Sequence, residues 1–229
     1  MSKSTILVIG ASRGIGAELV KLLAKTPHFQ IIACSRNKER MNQEFAGLSN
    51  VDSFAIDLSS SNVKSELKSI LDNYDRVDYM VNNAGYLVNK PFPELSNEDL
   101  LRSYKVNVVS VMECVQAVLP KMNTAHIVNI SSIGGFQGSV KFPGLAAYST
   151  SKAALCSFTE LFAEEYKDSQ ITMNCLCLGA VQTEMLNEAF PGYQAPMGPE
   201  KMAEYISNFL LTAHEWMRGK IIPVSLSTP

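Results

Sequence analysis

The sequence predicts an α/β fold: a single doubly wound Rossmann-type domain, with a parallel sheet of about seven strands and helices on both faces. Short runs rich in β-branched residues recur along the chain, and each is almost continuously apolar, as in strands buried on both faces. Amphipathic segments with a helical period lie between these runs. A glycine-rich turn directly follows the first run. Together, these features are typical of a parallel sheet that binds a nucleotide.

The elements alternate along the whole chain. The predicted strands are 5–10, 29–35, 51–56, 76–83, 125–131, 171–178 and 220–225. The predicted helices are 17–25, 38–45, 63–74, 97–122, 146–166 and 201–213, several of them preceded by a Ser, Asp or Asn that can cap the first turn. One irregular stretch, 184–200, combines three prolines with large apolar side chains. We predict that it is a mobile lid over the substrate, the alternative being a surface loop.

Composition narrows the classes of function. The chain has 229 residues, 46% of them apolar, which favours one domain over 1–229. Its net charge of -2, without a basic block, argues against nucleic acid as a partner. The longest apolar run, 106–119, is shorter than a membrane span and contains polar side chains, so we expect a cytoplasmic protein with no membrane partner. The five cysteines lack a CxxC spacing, which predicts buried thiols and no metal site.

A glycine-rich turn, GASRGIG over 10–16, opens the first predicted helix. Glycine at positions 10, 14 and 16 allows a tight turn and lets the backbone approach a pyrophosphate, whose charge is stabilised by the amino terminus of the helix. We therefore assign Gly10, Ser12, Gly14 and Gly16 to cofactor binding. The spacing differs from the GxGxxG fingerprint, and methyltransferases also place such a turn after a first strand, so that class stays open.

The end of the second strand indicates which nicotinamide cofactor is used. An acidic residue at this point would accept hydrogen bonds from an adenosine ribose, but the chain reads Cys34-Ser35-Arg36. Ser35 can bond to a 2′-phosphate, and Arg36 and Arg13 can pair with it. NADP(H) is therefore favoured over NAD(H). The alternative is that both arginines are ordinary solvated surface residues.

Two further strand ends fit the same site. Asp57 and Leu58 follow the third strand, where a carboxylate can meet the amino group of adenine. Asn83, Ala84 and Gly85 follow the fourth strand, and small residues there let the backbone lie against the cofactor ribose.

A tyrosine and a lysine stand four residues apart in the segment YSTSK. On a helix, Tyr148 and Lys152 project from one face and can meet one ligand. The free side chains have pKa values of about 10 and 10.4, and a nearby ammonium group would lower the pKa of the tyrosine toward the working range of an acid/base catalyst. The alternative is an exposed pair on a helix surface.

Other polar residues support a catalytic role for this pair. Ser131 and Ser132 end the fifth strand, where a hydroxyl group can bind a substrate carbonyl. Asn107 can hold a water molecule near Lys152 and extend a proton path.

The order of these segments resembles the short-chain dehydrogenase/reductase superfamily, and the resemblance covers essentially the whole chain. The segments that carry it are GASRGIG, DL, NNAG, KVN, NISS, YSTSK and LGAVQT. The resemblance implies that Tyr148 is the acid/base, that Lys152 modulates its pKa and binds the ribose, that Ser132 binds the carbonyl and that Asn107 completes the catalytic set.

The same resemblance implies further cofactor contacts and an assembly. It assigns Ile15, Asn83, Val181 and Thr183 to the cofactor, the last two around the nicotinamide carboxamide. Members of the superfamily commonly form homodimers or homotetramers through the helices that here begin near Asn97 and Ala146, and we expect the same of this chain.

These observations predict an NADP(H)-dependent oxidoreductase that transfers a hydride between nicotinamide and a small carbonyl or secondary alcohol substrate. Apolar residues in the lid and in the segment 136–145 favour a substrate with a hydrophobic surface. The alternatives are a non-catalytic protein that senses NADP(H) with the same fold and a methyltransferase.

Overall fold

The computed structural model describes residues 3–226. Within these residues, seven strands form one parallel sheet in the order β3-β2-β1-β4-β5-β6-β7. The strands are β1 (Ser4–Ile9), β2 (Phe29–Ser35), β3 (Val51–Ala55), β4 (Tyr79–Asn82), β5 (Ala125–Ser132), β6 (Ile171–Leu178) and β7 (Ile221–Val224). This confirms the predicted fold class. The order of the strands reverses between β1 and β4, which is where ligands bind in open α/β sheets.

The helices cover both faces of the sheet. They are α1 (Gly14–Ala24), α2 (Lys38–Glu44), α3 (Val63–Leu71), α4 (Asn97–Tyr104), α5 (Ser110–Val118), α6 (Ala146–Glu165), α7 (Glu184–Ala189) and α8 (Pro199–Thr212). Five of the six predicted helices are present, with ends that differ by a few residues, and the sixth, 97–122, is divided between α4 and α5. The prediction missed α7, because a six-residue helix next to several prolines is too short to show a helical period in the sequence.

The continuous apolar runs of the strands are explained by burial on two faces. In β1, Ile6 and Val8 pack against the layer of α1 and α8, whereas Leu7 and Ile9 pack against the layer of α3 and α5. All four side chains are at most 2% exposed. Each such aliphatic side chain stabilises the fold by about 1.5–3 kcal/mol relative to an exposed one.

The predicted helix 97–122 is interrupted. A capping box starts α4, since the Ser96 hydroxyl accepts from the Asp99 amide and the Asp99 carboxylate accepts from Ser96. A π-helical segment, Lys105–Val109, then separates α4 from α5. Such bulges shift the following side chains around the helix axis and occur often at functional sites. Here the segment contains Asn107, whose side chain is fully buried.

The structure also bears on the membrane prediction. Across residues 3–226, no helix is both long enough and apolar enough to span a bilayer.

A buried histidine joins the sheet to α8. The imidazole of His126, in β5, is fully buried, and its Nδ1 lies 2.8 Å from the carbonyl oxygen of Leu210, to which it donates. Its Nε2 lies 3.0 Å from Nδ2 of Asn174, from which it accepts. Burial lowers the pKa of His126 to about 4. The ring is therefore neutral at physiological pH.

We expect this histidine to make the fold sensitive to acid. Between pH 6.5 and 4 the unfolded chain takes up a proton at His126 and the native state does not, so the free energy of unfolding falls as the pH falls, by at most about 1.4 kcal/mol per pH unit. Urea unfolding across this range, for wild type and His126→Gln, measures the effect. A wild-type profile parallel to that of His126→Gln would contradict the prediction.

Candidate active site

A cavity opens at the carboxyl ends of the central strands. It has a volume of about 620 Å³ and is lined by the residues that follow β1, β2, β3, β4, β5 and β6. It therefore lies on both sides of the point where the strand order reverses. One end is formed by the glycine-rich turn, and the other by Ser132, Tyr148 and Lys152.

The glycine-rich turn requires glycine for steric reasons. Gly10 has a φ of +91°, and a Cβ added there would lie 2.5 Å from the amide nitrogen of Ala84. Gly14 has a φ of +54° at the start of α1. The side chain of Asn83 donates a 2.8 Å hydrogen bond to the carbonyl oxygen of Gly10, which fastens the turn to the end of β4. Little room for side chains remains at this end of the cavity.

Gly16 lies behind the turn, and its assignment to cofactor binding stays a prediction. It does not line the cavity, and an added Cβ would collide with the carbonyl oxygen of Gly10 and lie 2.6 Å from Nδ2 of Asn83. Gly16 therefore allows α1 to pack closely behind the turn. A sequence pattern cannot separate this role from direct contact with a ligand.

Polar side chains gather beside the turn at the end of β2. The hydroxyl groups of Ser12 and Ser35 lie 2.8 Å apart. Arg36 is exposed and lines the cavity next to them. Arg13 also lines the cavity, and its guanidinium pairs with the carboxylate of Glu188 in α7 at 2.5 Å. The predicted residues are thus together, but Arg13 has an acidic partner that the sequence did not reveal.

The end of β3 adds an anion to this region. Oδ1 of Asp57 accepts from the amide of Ser59 at 2.9 Å and from its hydroxyl at 2.8 Å. These bonds, with smaller effects of Arg36 and Arg102, hold the pKa of Asp57 below its usual range. Arg102, from α4, also lines the cavity, and its guanidinium lies 4.6 Å from the centre of the Tyr86 ring. Sequence reasoning missed Arg102, because nothing in the sequence shows that α4 brings this side chain to the end of β3.

Tyr148 and Lys152 both project from α6 toward the other end of the cavity. Tyr148 is half-buried and lies beside Ser132, whereas Lys152 is only 3% exposed. The ammonium of Lys152 donates a 2.8 Å hydrogen bond to the carbonyl oxygen of Ile130 and lies 6.0 Å from the centre of the Tyr148 ring. The predicted trio therefore meets at one wall of the cavity.

The pKa of Tyr148 differs from the expectation. Burial raises it, although the neighbouring Ser132 hydroxyl acts in the opposite direction. The expected lowering of this pKa is not seen in this arrangement, in which the Lys152 ammonium donates to the carbonyl of Ile130. Burial also lowers the pKa of Lys152 to about 8. At neutral pH, Tyr148 is therefore a protonated phenol, the form that can donate a proton.

Asn107 lies behind the cavity wall rather than in it. Its Oδ1 accepts from the amide of Tyr86 at 2.8 Å, and its Nδ2 donates to the carbonyl of Tyr86 and to the hydroxyl of Ser151, both at 2.9 Å. Both polar atoms of the Asn107 side chain thus have protein partners, and the water-holding role stays a prediction. Asn107 thereby connects the segment that follows β4 to α6 near Lys152.

The segment 184–200 lies against the cavity mouth. Met185, Leu186, Phe190 and Tyr193 line the cavity, so the segment supplies an apolar part of its wall. Besides the pair between Arg13 and Glu188, the carboxylate of Glu184 accepts from Arg40 in α2 at 2.8 Å. Two ion pairs thus hold α7 to the nucleotide end of the site.

Most of the predicted site residues line this one cavity. They are Gly10, Ser12, Arg13, Gly14, Ile15, Ser35, Arg36, Asp57, Leu58, Asn83, Ala84, Gly85, Ser132, Tyr148, Lys152, Val181 and Thr183. Gly16 and Asn107 lie behind its walls.

This chain is similar to known proteins. Residues 4–194 match the family described as short chain dehydrogenase. A cyclopentanol dehydrogenase from Comamonas sp. is 33% identical over 210 residues, which are 87% of this chain and 82% of that protein. A 3-oxoacyl-(acyl-carrier-protein) reductase from Aquifex aeolicus is 30% identical over 237 residues, covering 96% and 94%. The solved active-site complex of Pseudomonas aeruginosa RhlG with NADP has a TM-score of 0.86 at 25% identity, covering 98% and 96%.

We expect Asn107 to be a major support of the site. In Asn107→Ala, Tyr86 and Ser151 lose hydrogen-bond partners in a largely buried place, and we expect a loss of about 2 kcal/mol or more of unfolding free energy. Ser110→Ala is the matched control, since the Ser110 hydroxyl bonds only within its own helix, to the carbonyl of Val106. Urea unfolding measures both variants. Equal losses in the two would contradict the assigned role of Asn107.

Proposed function

The chain belongs to the short-chain dehydrogenase family, and from that premise we propose that it is an NADP(H)-dependent oxidoreductase acting on a carbonyl or secondary alcohol substrate. The observation that carries the proposal is the meeting of Ser132, Tyr148 and Lys152 at one end of a cavity whose other end is the glycine-rich turn. A proton donor and a nucleotide site thus face one shared space. The family is an oxidoreductase family, and this site contains the groups such a reaction needs.

The shape and chemistry of the cavity fit a nicotinamide dinucleotide. Gly10 and Gly14 leave the backbone uncovered by side chains at the place where a pyrophosphate would meet the amino terminus of α1. Asp57 and Leu58 would hold the adenine, and Ile15 would also contact the cofactor. The nicotinamide ribose would lie against Asn83, Ala84, Gly85 and Lys152. Val181 and Thr183 would hold the nicotinamide. When bound, the cofactor supplies or accepts the hydride.

The preference for NADP(H) is argued from charge. The end of β2 is surrounded by Ser12, Ser35, Arg13 and Arg36. No carboxylate stands where the strand ends, since the chain there reads Cys34-Ser35-Arg36. A 2′-phosphate bound there would lie near two guanidinium groups. Glu188, which pairs with Arg13, would compete with the phosphate for one of them. The solved complex of the related RhlG protein with NADP supports the same choice.

Proton transfer follows from the state of each group. In the direction of reduction, the Ser132 hydroxyl donates a hydrogen bond to the substrate oxygen and fixes its position. The phenol of Tyr148, protonated because burial raises its pKa, gives its proton to the same oxygen. The ammonium of Lys152 stabilises the phenolate that remains. Asn107 acts as a positioning residue, through Tyr86 and Ser151.

The end of the cavity next to Tyr148, where the substrate would bind, favours an apolar molecule with one reacting oxygen atom. It is lined by Phe142, Leu145, Leu186, Phe190 and Tyr193.

We propose that 184–200 is a lid that closes over the substrate. We expect hydrogen exchange in this segment to slow when NADPH and an inert substrate analogue are added. The names of the two relatives describe a secondary alcohol and a 3-oxoacyl group, which represent the two directions of the proposed reaction.

Self-association is part of the proposal. Three large aliphatic side chains, Leu101 in α4, Val109 in the π-helical segment and Leu161 in α6, are 63%, 44% and 67% exposed. A second copy of the chain would cover them in a homodimer or homotetramer. Light scattering at micromolar concentration tests this, and a monomer mass would contradict it.

We also propose a cytoplasmic location. It is supported by the state of the cysteines, because all five are free and buried, as is common in a reducing compartment. Imaging of the tagged protein in its host tests this assignment.

The first test of function removes the Tyr148 hydroxyl. We expect Tyr148→Phe to lower kcat with NADPH by about a factor of 10³, the usual worth of a positioned proton donor. Cyclopentanone and an acetoacetyl thioester are suitable first members of a carbonyl panel. Tyr166→Phe is the control, because Tyr166 ends the same helix and stacks on Phe162, remote from the cavity. NADPH binding, followed by fluorescence, should persist in both variants. Wild-type turnover by Tyr148→Phe would contradict the mechanism.

The second test concerns the choice of cofactor. We expect Arg36→Ala to raise the KM for NADPH about 10-fold or more and to leave the KM for NADH unchanged, because only NADPH offers a phosphate to the lost guanidinium. Arg76→Ala is the control, since Arg76 pairs with Asp78 at the other end of the strands. A parallel change for both cofactors would show that Arg36 does not read the 2′-phosphate.

A further inference from the structure

Three cysteines converge behind the Tyr148 wall, on the side of the sheet that α6 covers. Cys175 and Cys177 stand two residues apart in β6 and project from the same face, and Cys156 approaches them from α6. Sγ of Cys156 lies 3.5 Å from Sγ of Cys177 and 4.0 Å from Sγ of Cys175. All three sulfur atoms lie within 4.8 Å of one another. The spacing along the chain predicts no metal site, because Cys156 joins the other two only through the fold.

The separations fit one central ion. Three sulfur ligands placed evenly around an ion in one plane, with metal–sulfur bonds of about 2.3 Å, are about 4.0 Å from one another. The observed separations lie around this value, so small rotations of the side chains would complete the geometry. A disulfide would require one pair to approach much further, to about 2.05 Å, and would leave the third sulfur out.

We propose that Cys156, Cys175 and Cys177 form a binding site for a single Cu(I) ion. Soft thiolate ligands select soft ions such as Cu(I), whereas a structural zinc ion takes four ligands. Among the residues that the structure describes, the histidine, cysteine and carboxylate side chains gathered at this point are these three alone.

The surroundings favour a buried and dry site. Cys175 and Cys177 are fully buried and Cys156 is 8% exposed, with Phe136 and Ile221 packed around them. Cys156 is therefore the ligand that an entering ion meets first. Each thiol that becomes a ligand releases its proton to solvent, and the negative charge that results is partly balanced by the ion and by the ammonium of Lys152 nearby.

The site is also connected to the catalytic wall. The hydroxyl of Ser131 donates to the carbonyl oxygen of Lys152 at 2.8 Å and accepts from the thiol of Cys156 at 3.5 Å. An ion bound to Cys156 takes the place of that thiol proton. The site nevertheless stands on its own geometry, independently of the proposed oxidoreductase activity.

The test measures copper rather than activity. Fully reduced protein is titrated without oxygen with Cu(I) supplied as its coloured bicinchoninate complex. We expect wild type to take one equivalent, and X-ray absorption of the loaded protein to show three sulfur ligands. Cys156→Ala and Cys177→Ala should each weaken uptake at least 10-fold. Cys114→Ala is the matched control, because Cys114 is equally buried but lies in the core layer of α3 and α5.

Three outcomes would overturn the proposal. They are no uptake by wild type, undiminished uptake by Cys156→Ala, and an equal loss in Cys114→Ala. A protein mass lowered by two hydrogen atoms after titration would identify a disulfide instead and would likewise contradict it. The X-ray absorption result on wild type decides the question even where a variant fails to fold. Because NADPH turnover takes no part in the readout, failure here leaves the proposed function standing.

Discussion

The site depends on the close approach of the glycine-rich turn to the end of β4. The amides of Asn83 and Ala84 both donate to the carbonyl oxygen of Ile9 at 2.9 Å, and the Asn83 side chain bonds to Gly10. No side chain larger than hydrogen fits between the two strand ends at Gly10. This contact fixes β1 and β4, the two strands between which the strand order reverses, and the cavity opens beside it. The helices on either side then supply polar groups to one shared space.

At the other end of the cavity, α6 serves two purposes. Its inner face presents Tyr148 and Lys152, and the hydrogen bond from Ser131 to the carbonyl of Lys152 holds the helix to β5. Asn107 reaches the same helix through Ser151, at the place where the π-helical segment turns its side chain inward. One turn beyond Lys152, Cys156 meets the thiols of β6. The cavity wall at Tyr148 and the cysteine cluster are therefore neighbouring parts of one helix–sheet contact.

The two ends are linked by α7. Glu188 and Glu184 pair with Arg13 and Arg40, which belong to the nucleotide end, while Met185 and Leu186 face the cavity from the same short helix. In the proposed function, the phosphate would compete with Glu188 for the guanidinium of Arg13. Such competition would couple cofactor binding to the position of the apolar wall.

The amino-acid sequence by itself determined the parallel sheet, the helices and most of the residues that line the cavity, because strand burial, helical period and glycine turns are local patterns. The predicted strand 171–178 coincides with β6. Tertiary structure alone decided the π-helical segment, the place of Gly16 behind the turn and the partners of Asn107. It also brought Arg102 to the cavity and set the direction in which the pKa of Tyr148 is shifted. It also paired Arg13 with Glu188, 175 residues away, and assembled the three thiols. These features depend on which distant side chains share a buried place, and the chain sets that only when its layers pack together.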